Sequence, residues 1–300
     1  MTIELFPDFE AMTLEGDGAD IFLRLGGEGP PLLLLHGFPQ THVMWSKVAG
    51  TLAREFTVVV PDLRGCGASS CPDPDNGHTA YSKRAMGRDM GVVMAELGHD
   101  RFAVVGHDRG GRVAYRMALD APETIERIAV LDIVPTHDMW CELNKQTALL
   151  AYHWMFLAQP YPMPEMLIGA TAREFVDFTL ASWTGSKDLA AFSPGALDAY
   201  RSSFCRPKTI RAMCEDYRAG ATCDHEADIA DLERGAKITA PLAVIWGDKG
   251  IPDATVASPL ATWAKWADTV SGGPIPSGHF LAEENGPALL KLLLPFLKAN

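Results

Sequence analysis

One short segment, residues 102–119, constrains the fold of this 300-residue chain more than any other. Residues 102–105 are apolar and predict a strand that is buried on both faces. Residues 106–112 then read Gly-His-Asp-Arg-Gly-Gly-Arg, and the glycines allow a tight turn before residues 113–119 continue as a helix. This is the strand–turn–helix setting of the G-x-S-x-G nucleophile motif, with Asp108 in place of the serine.

A carboxylate at the apex of this turn predicts different chemistry from a hydroxyl group. When Asp108 attacks a carbon atom, the product is an ester whose carbonyl belongs to the enzyme, so water must attack that ester in a second step. The start of the following helix places positive partial charge and free N–H groups near Asp108, which favours its ionised form. The alternative role of Asp108 is a helix N-cap, but the surrounding glycines favour a nucleophile.

Apolar runs and helical patterns alternate along the chain on both sides of a long region without strands. Residues 10–26 predict a β-hairpin at one edge of a sheet. The apolar runs typical of buried strands lie at residues 32–35, 58–60, 102–105, 128–131 and 241–248. Helical patterns lie at residues 79–97, 113–119, 255–268 and 287–298. We therefore expect the α/β class, with a mostly parallel, doubly wound sheet and helices on both faces.

The region without strands, residues 136–236, is rich in aromatic and Met residues at helical spacing. It follows one predicted core strand and precedes the next, so we expect an inserted helical cap over the carboxyl ends of the strands. The sequence thus predicts a core domain of residues 1–135 and 237–300 and a cap domain of residues 136–236.

The chain beyond the Asp108 segment contains three candidate catalytic partners, namely His279, Asp132 and Asp248. His279 lies in a loop rich in Gly and Pro after the last strand, where a general base can reach the nucleophile. Its alternative role is that of a surface histidine. Asp132 and Asp248 each end a core strand at the same sheet edge, and either could orient His279. The residues alone leave the choice between these two acids open.

Arg109 and Arg112 are spaced to share one face at the start of the helix after Asp108. A guanidinium group offers a planar pair of donors to a carboxylate, so the two residues could hold a small carboxylate substrate next to Asp108. Their alternative role is a salt bridge to carboxylates of the cap. The cap also carries Tyr-His-Trp at residues 152–154 and Glu-Asp-Tyr-Arg at residues 215–218. These donors could solvate a departing anion, or the aromatic residues could simply be core.

The composition excludes several classes of partner. The net charge of −12 argues against binding to nucleic acid or to an anionic membrane.

The six cysteines lack C-x-x-C and zinc-ligand spacing, so we expect reduced thiols, no metal and a cytoplasmic location. We expect no signal peptide in the first eight residues, and we expect no membrane span because no uninterrupted apolar stretch is long enough for one.

Together these motifs resemble the fluoroacetate dehalogenases of the α/β-hydrolase superfamily. The resemblance covers nearly the whole chain and rests on residues 36–42, 106–112, 130–133, 152–154, 215–220 and 277–280. His-Asp-Arg-Gly alone is shared with epoxide hydrolases and haloalkane dehalogenases. The arginine pair combined with His153, Trp154 and Tyr217 is more specific.

The resemblance implies an α/β-hydrolase fold and a cytoplasmic homodimer without a cofactor. It implies that Asp108 is the nucleophile, His279 the base and Asp132 its acid partner. The remaining implied roles are carboxylate binding by Arg109 and Arg112, halide binding by His153, Trp154 and Tyr217, an oxyanion hole formed by the backbone N–H groups of Phe38 and Arg109, and a pocket lining that includes Trp183.

The expected reaction is hydrolytic dehalogenation of a small anionic 2-haloacid, which converts fluoroacetate and water to glycolate and fluoride. One alternative is an epoxide hydrolase, which uses the same Asp, His and acid but has two pocket tyrosines that protonate the opening epoxide. A second alternative is a non-catalytic protein that binds small acids on the same fold, because a fold does not determine function.

Overall fold

Eight strands form one sheet in the part of the chain that this computed structural model describes, residues 4–299. Their spatial order is β1-β2-β4-β3-β5-β6-β7-β8. The hairpin β1–β2 and the pair β2–β4 are antiparallel, and all other neighbours are parallel, as expected for the α/β class. The strands are β1 (Glu10–Glu15), β2 (Asp20–Gly26), β3 (Pro31–Leu35), β4 (Thr57–Pro61), β5 (Phe102–His107), β6 (Ile125–Leu131), β7 (Leu242–Gly247) and β8 (Val270–Ile275).

Helices cover both faces of the sheet and fill the interval between β6 and β7. They are α1 (Ser46–Leu52), α2 (Lys83–Glu96), α3 (Arg109–Asp120), α4 (Thr136–Cys141), α5 (Lys145–Leu150), α6 (Tyr152–Leu157), α7 (Met163–Ala170), α8 (Ala172–Trp183), α9 (Pro194–Phe204), α10 (Pro207–Ala221), α11 (Cys223–Glu233), α12 (Ile251–Thr255), α13 (Pro259–Trp263), α14 (Leu281–Glu284) and α15 (Gly286–Lys298). Short 3₁₀ helices span His42–Trp45, Thr79–Tyr81 and Pro122–Thr124. None of the helices of residues 4–299 is both long and apolar enough to cross a membrane.

The continuous apolar runs reflect burial of the central strands on both faces. In β3, Leu32 and Leu34 belong to one hydrophobic cluster, while Leu33 and Leu35 belong to the cluster on the opposite face. All four side chains are fully buried. Burial of one such side chain stabilises the fold by about 1.5–3 kcal/mol, so these strands form a rigid base for the loops at their carboxyl ends.

The predicted helix 255–268 is wrong in its extent. The structure has two short helices there, α12 and α13, and Trp266 lies beyond both of them. Pro259 is the first residue of α13, and the residue before a proline disfavours the helical conformation. Ser258 instead caps α13 by accepting a hydrogen bond from the backbone N–H of Ala261 at 3.2 Å.

The segment between β6 and β7 is joined to the helix after Asp108 by buried ion pairs. Arg116 of α3 contacts Asp228 at 2.8 Å and Asp231 at 2.6 Å, and both aspartates lie on α11. Tyr115 donates a further hydrogen bond to Asp228 at 2.8 Å. These contacts therefore fix the position of α11 relative to α3, the helix that carries Arg109 and Arg112.

Candidate active site

Asp108 occupies a sharp turn between β5 and α3. Its backbone has φ +47° and ψ −115°, a region that non-glycine residues adopt only where the surrounding structure enforces it. A Cβ on Gly106 would lie 2.3 Å from the carbonyl oxygen of Gly110, so the turn requires glycine for its close approach. A Cβ on Gly37 would likewise lie 2.4 Å from the Cβ of Asp108. The helix begins directly at Arg109, so the arginine pair lies at its start.

The loop after β3 brings a backbone donor to the carboxylate of Asp108. The N–H of Phe38 donates to Oδ1 at 2.8 Å. His36 anchors this loop, because its Nε2 accepts a hydrogen bond from the N–H of Leu63 at 3.0 Å. The N–H of Phe38 can therefore stabilise negative charge on this carboxylate.

His279 is oriented by Asp132. Its Nδ1 lies 2.7 Å from Oδ2 of Asp132, and both side chains are buried. Asp132 also accepts hydrogen bonds from the N–H groups of Gly247 at 2.9 Å and Ile251 at 3.0 Å, which hold its carboxylate in place. Asp248 is exposed and accepts a bond from the N–H of Ser277 at 3.2 Å. The structure therefore places only Asp132 of the two candidate acids against His279.

The other ring nitrogen of His279 faces the nucleophile without contacting it closely. Nε2 lies 3.9 Å from Oδ2 of Asp108 and has no hydrogen-bond partner among residues 4–299. Burial opposes charge on His279, but its hydrogen bond and ion pair with Asp132 outweigh burial and raise its pKa. Burial similarly opposes charge on Asp108, but His279, His107 and Arg109 outweigh burial and hold the pKa of Asp108 well below its usual range. Asp108 is thus an anion, ready to act as a nucleophile.

The arginine pair lies beside this carboxylate, almost fully buried. Arg109 donates from Nε and Nη2 to the carboxylate of Asp216 on α10 at 2.7 and 2.9 Å. It thus forms the salt bridge that the sequence left as an alternative role. Arg112 donates from Nη1 to the carbonyl oxygen of Val134 at 2.9 Å and to the hydroxyl of Thr136 at 3.1 Å.

Each arginine keeps one buried donor free within the described part of the chain, Nη1 of Arg109 and Nε of Arg112. A buried N–H of a guanidinium group without a partner is costly, because burial removes the water that would otherwise bind it. This pair of donors therefore suits an anionic ligand.

Aromatic side chains from α6, α8 and α10 stack around the arginines. The Cζ of Arg109 lies 4.3 Å from the ring centre of Tyr217, and that of Arg112 lies 4.5 Å from the ring of Trp154. The ring of His153 packs against Tyr217 at 5.5 Å and against Trp183 at 4.4 Å. His153, Trp154, Trp183 and Tyr217 therefore lie together.

Two polar atoms in this aromatic group, Nδ1 of His153 and the hydroxyl of Tyr217, are buried without a hydrogen-bond partner in residues 4–299. Burial lowers the pKa of His153 to about 3, so its ring is neutral at physiological pH. Burial and the charge of Asp108 raise the pKa of Tyr217, so its hydroxyl keeps its proton. These groups can donate hydrogen bonds to an anion in a site that excludes water.

Sequence reasoning assigned no role to two residues that the structure brings to this site. Asp216 lies within the motif of residues 215–218, but only the tertiary structure shows that its carboxylate forms a salt bridge with Arg109. Lys83 contacts the same carboxylate from the first turn of α2. A lysine at the start of a helix is unfavourable with respect to the helix dipole, and α2 has no acid in its first turn. That mismatch is the one sequence signal that marks Lys83.

Comparisons with known proteins identify the family of this chain. The family model for the alpha/beta hydrolase fold matches residues 30–285. The chain is 41% identical to the fluoroacetate dehalogenase of Burkholderia sp over 293 residues, which cover 98% of this chain and 95% of that protein. It is 31% identical to the soluble epoxide hydrolase of Corynebacterium sp. (strain C12), with coverage of 90% and 91%.

Among solved structures, ALR0039 from Nostoc sp PCC 7120 matches with a TM-score of 0.95 and 47% identity over 98% of this chain and all of that chain. The fold and its neighbours define a hydrolase. The chain belongs to the alpha/beta hydrolase family and, within it, to the fluoroacetate dehalogenase family.

Proposed function

We propose that the protein hydrolyses 2-haloacetates and converts fluoroacetate and water to glycolate, fluoride and a proton. The observation that carries this proposal is a pair of buried guanidinium donors, on Arg109 and Arg112, that have no partner among the described residues and lie beside an ionised Asp108. A carboxylate bound by these donors would hold its α-carbon against the nucleophile. The fluoroacetate dehalogenase of Burkholderia sp, at 41% identity over most of both chains, supports the same reaction.

In the first step, Asp108 attacks the α-carbon and the carbon–halogen bond breaks, so that the bonding electron pair leaves with the halide. The enzyme then carries a carboxymethyl ester on Asp108. Fluoride is strongly hydrated and leaves poorly, so the pocket must replace its lost water with directed donors. We assign this role to His153, Trp154 and Tyr217. Tyr217 and Trp154 pack on the arginines and His153 packs on Tyr217, and the polar atoms of His153 and Tyr217 are buried without a partner in the part of the chain that the structure describes.

In the second step, His279 takes a proton from water, and the water oxygen attacks the ester carbonyl of Asp108. Asp132 stabilises the resulting imidazolium, and the backbone N–H groups of Phe38 and Arg109 form the proposed oxyanion hole. The ester C–O bond then breaks, glycolate leaves with its hydroxyl protonated, and one proton passes to solvent. The 3.9 Å between His279 and Asp108 suits this role, since a carboxylate has no proton for the base to remove.

The proposal includes the expected organisation of the protein. We propose that residues 136–236 act as the cap that excludes water from the site, since they supply the aromatic residues around the arginines. We also propose a cytoplasmic homodimer. The exposed apolar side chains of Met166, Leu167 and Phe178 on α7 and α8 support an interface on this face.

An epoxide hydrolase is the second candidate, and the 31% identical relative from Corynebacterium favours it. An uncharged epoxide would leave the free donors of both arginines unpaired in a dry pocket, so the site suits a carboxylate better. A protein that only binds small acids is the third candidate. It would have no use for the base that Asp132 orients toward Asp108.

Parallel assays on fluoroacetate, chloroacetate, bromoacetate and styrene oxide test this function. We expect equimolar halide and glycolate from the haloacetates and no diol from styrene oxide. The measurements are halide by ion-selective electrode and organic products by chromatography. Diol formation without halide release would identify an epoxide hydrolase instead. Tight glycolate binding without turnover of any of the four compounds would identify a binding protein.

A further inference from the structure

A buried lysine lies behind the arginine pair and takes no part in the mechanism above. Lys83 is the first residue of α2, and its side chain is only 2% exposed. Its Nζ contacts the carboxylate of Asp216 and lies 3.5 Å from Oδ2 of Asp224. Its backbone N–H also donates to Oδ1 of Asp224 at 2.8 Å, which fixes the start of the helix. A charged lysine rarely occupies such a position unless it is paired.

The partner of Lys83 is also the partner of the proposed substrate-binding Arg109. Asp216 accepts two hydrogen bonds from the guanidinium group of Arg109 and contacts Lys83 with the same carboxylate. The backbone oxygen of Asp216 takes a third bond from Arg109 at 2.8 Å. With these bonds in place, Nη1 is the guanidinium nitrogen of Arg109 that lacks a partner in the range that the structure covers.

We propose that Lys83 is a positioning residue for the substrate carboxylate, acting through Asp216. Its ammonium group neutralises Asp216, so that Asp216 orients Arg109 without cancelling the positive charge that Arg109 presents to the substrate. This inference rests on the proposed function, because it takes Arg109 to be a carboxylate-binding residue.

The balance of buried charge supports this role. Arg109, Arg112 and Lys83 face three carboxylates that belong to Asp108, Asp216 and Asp224. The cluster is neutral only when Lys83 is protonated, and the substrate then adds one negative charge. Without the ammonium group, the same substrate would enter a cluster that already has an excess anion. In a site of low effective dielectric, that repulsion weakens binding by about tenfold or more.

The protonation of Lys83 changes near neutral pH. Burial and the nearby Arg109 guanidinium lower the pKa of Lys83 to about 7. The titratable and charged groups that face it are Arg109 and Arg112 on α3, Asp216 on α10, Asp224 and Cys223 on α11, and Cys66 in the loop after β4. An anionic ligand favours the charged lysine, so binding should be coupled to proton uptake. By the same linkage, KM should rise as the pH increases through the pKa of Lys83.

The variant Lys83→Met tests this coupling. We expect it to raise KM for a haloacetate about tenfold with little change in kcat, and to reduce the rise of KM above neutral pH to the part that His279 contributes. Calorimetry with glycolate in buffers of different ionisation enthalpy should show fewer protons taken up than in the wild type. His279 contributes to the uptake in both proteins, so the difference isolates Lys83. Lys47→Met is the matched control, because Lys47 pairs with carbonyl oxygens away from the cluster.

A second variant keeps the test independent of the folding of Lys83→Met. In Asp216→Asn the carboxylate that Lys83 neutralises is gone, so we expect the pH dependence of KM and the proton uptake to shrink even with Lys83 present. Adding Lys83→Met to Asp216→Asn should then change KM little further.

If the dependence of KM on pH and the proton uptake were both unaltered in Lys83→Met or in Asp216→Asn, the proposed role of Lys83 would be overturned. A loss of kcat that is equal in the two variants, with an unchanged pH profile of KM, would show that Lys83 has a purely structural role. This result would overturn the proposal as well. If the wild type released no halide from any haloacetate, the proposed function would fail, whereas calorimetry with glycolate would still decide whether Lys83 supports carboxylate binding.

Discussion

Replacing Asp108 by Asn should reduce halide release from haloacetates by a factor of about 10⁴ or more. An amide is a far weaker nucleophile than a carboxylate, and the proposed chemistry offers no second group to displace the halide. The shape of the turn should survive, because the N–H of Phe38 can still donate to the amide oxygen. The measurement is initial halide release under saturating substrate, with the thermal midpoint determined in parallel.

Asp120→Asn is the matched control for this change. Asp120 lies at the other end of α3 and pairs with Arg84 near the surface and with Arg116 at 3.2 Å. Arg116 keeps its shorter ion pairs with Asp228 and Asp231, so the same substitution there should leave halide release close to wild type. Halide release by a folded Asp108→Asn protein at near wild-type rate would contradict the assignment of the nucleophile.

Replacing His279 by Gln should separate the two chemical steps. Asp108 can still displace the halide, but hydrolysis of the ester should slow by about 10²–10⁴-fold without the general base. We therefore expect one equivalent of halide per protein, followed by near arrest. Intact-protein mass spectrometry should show the addition of one carboxymethyl group, located on Asp108 after digestion.

The substitution of another histidine controls for this second prediction. His99 follows α2, away from the aromatic group and the arginine pair, so His99→Gln should turn over normally. If His279→Gln ran many turnovers at the wild-type rate, His279 would not be the base. If it released no halide at all, His279 would be needed before the ester forms, and the order of steps would be wrong.

The sequence predicts the sheet and the turn at Asp108 well, because both depend on local patterns. Four consecutive leucines at residues 32–35 match a strand buried on two faces, and β3 forms there. The glycines of residues 106–111 match a turn in which a Cβ would collide with the neighbouring backbone. Helix ends are predicted less well, because a cap or a proline such as Pro259 overrides the apolar periodicity.

The acid partner of the base could not be predicted from the residues alone. Asp132 and Asp248 end neighbouring strands, β6 and β7, and both follow Asp108 in the chain. The difference between them is tertiary. Asp132 is buried against His279 and two backbone N–H groups, whereas Asp248 is exposed. The resemblance to a family pointed to Asp132, and the geometry provides a physical reason.

The link from Lys83 through Asp216 to Arg109 could not be predicted either. Lys83 lies on α2, Asp216 on α10 and Arg109 on α3. In the sequence, Asp216 is more than 100 positions from each of the other two residues. Hydrophobic periodicity places helices on a sheet, but it does not determine which polar side chains meet between them. Only the packed structure shows that one carboxylate serves both cations.

A single turnover in water enriched in oxygen-18, with enzyme in excess over fluoroacetate, tests the covalent ester at Asp108 most directly. If water attacks the ester carbonyl, oxygen-18 enters the carboxylate of Asp108, and the first glycolate released carries the unlabelled oxygen of the enzyme. Mass spectrometry of the peptide that contains Asp108 and of the glycolate measures both. Labelled glycolate with an unlabelled Asp108 would show that water attacks the substrate directly and would contradict the proposed mechanism.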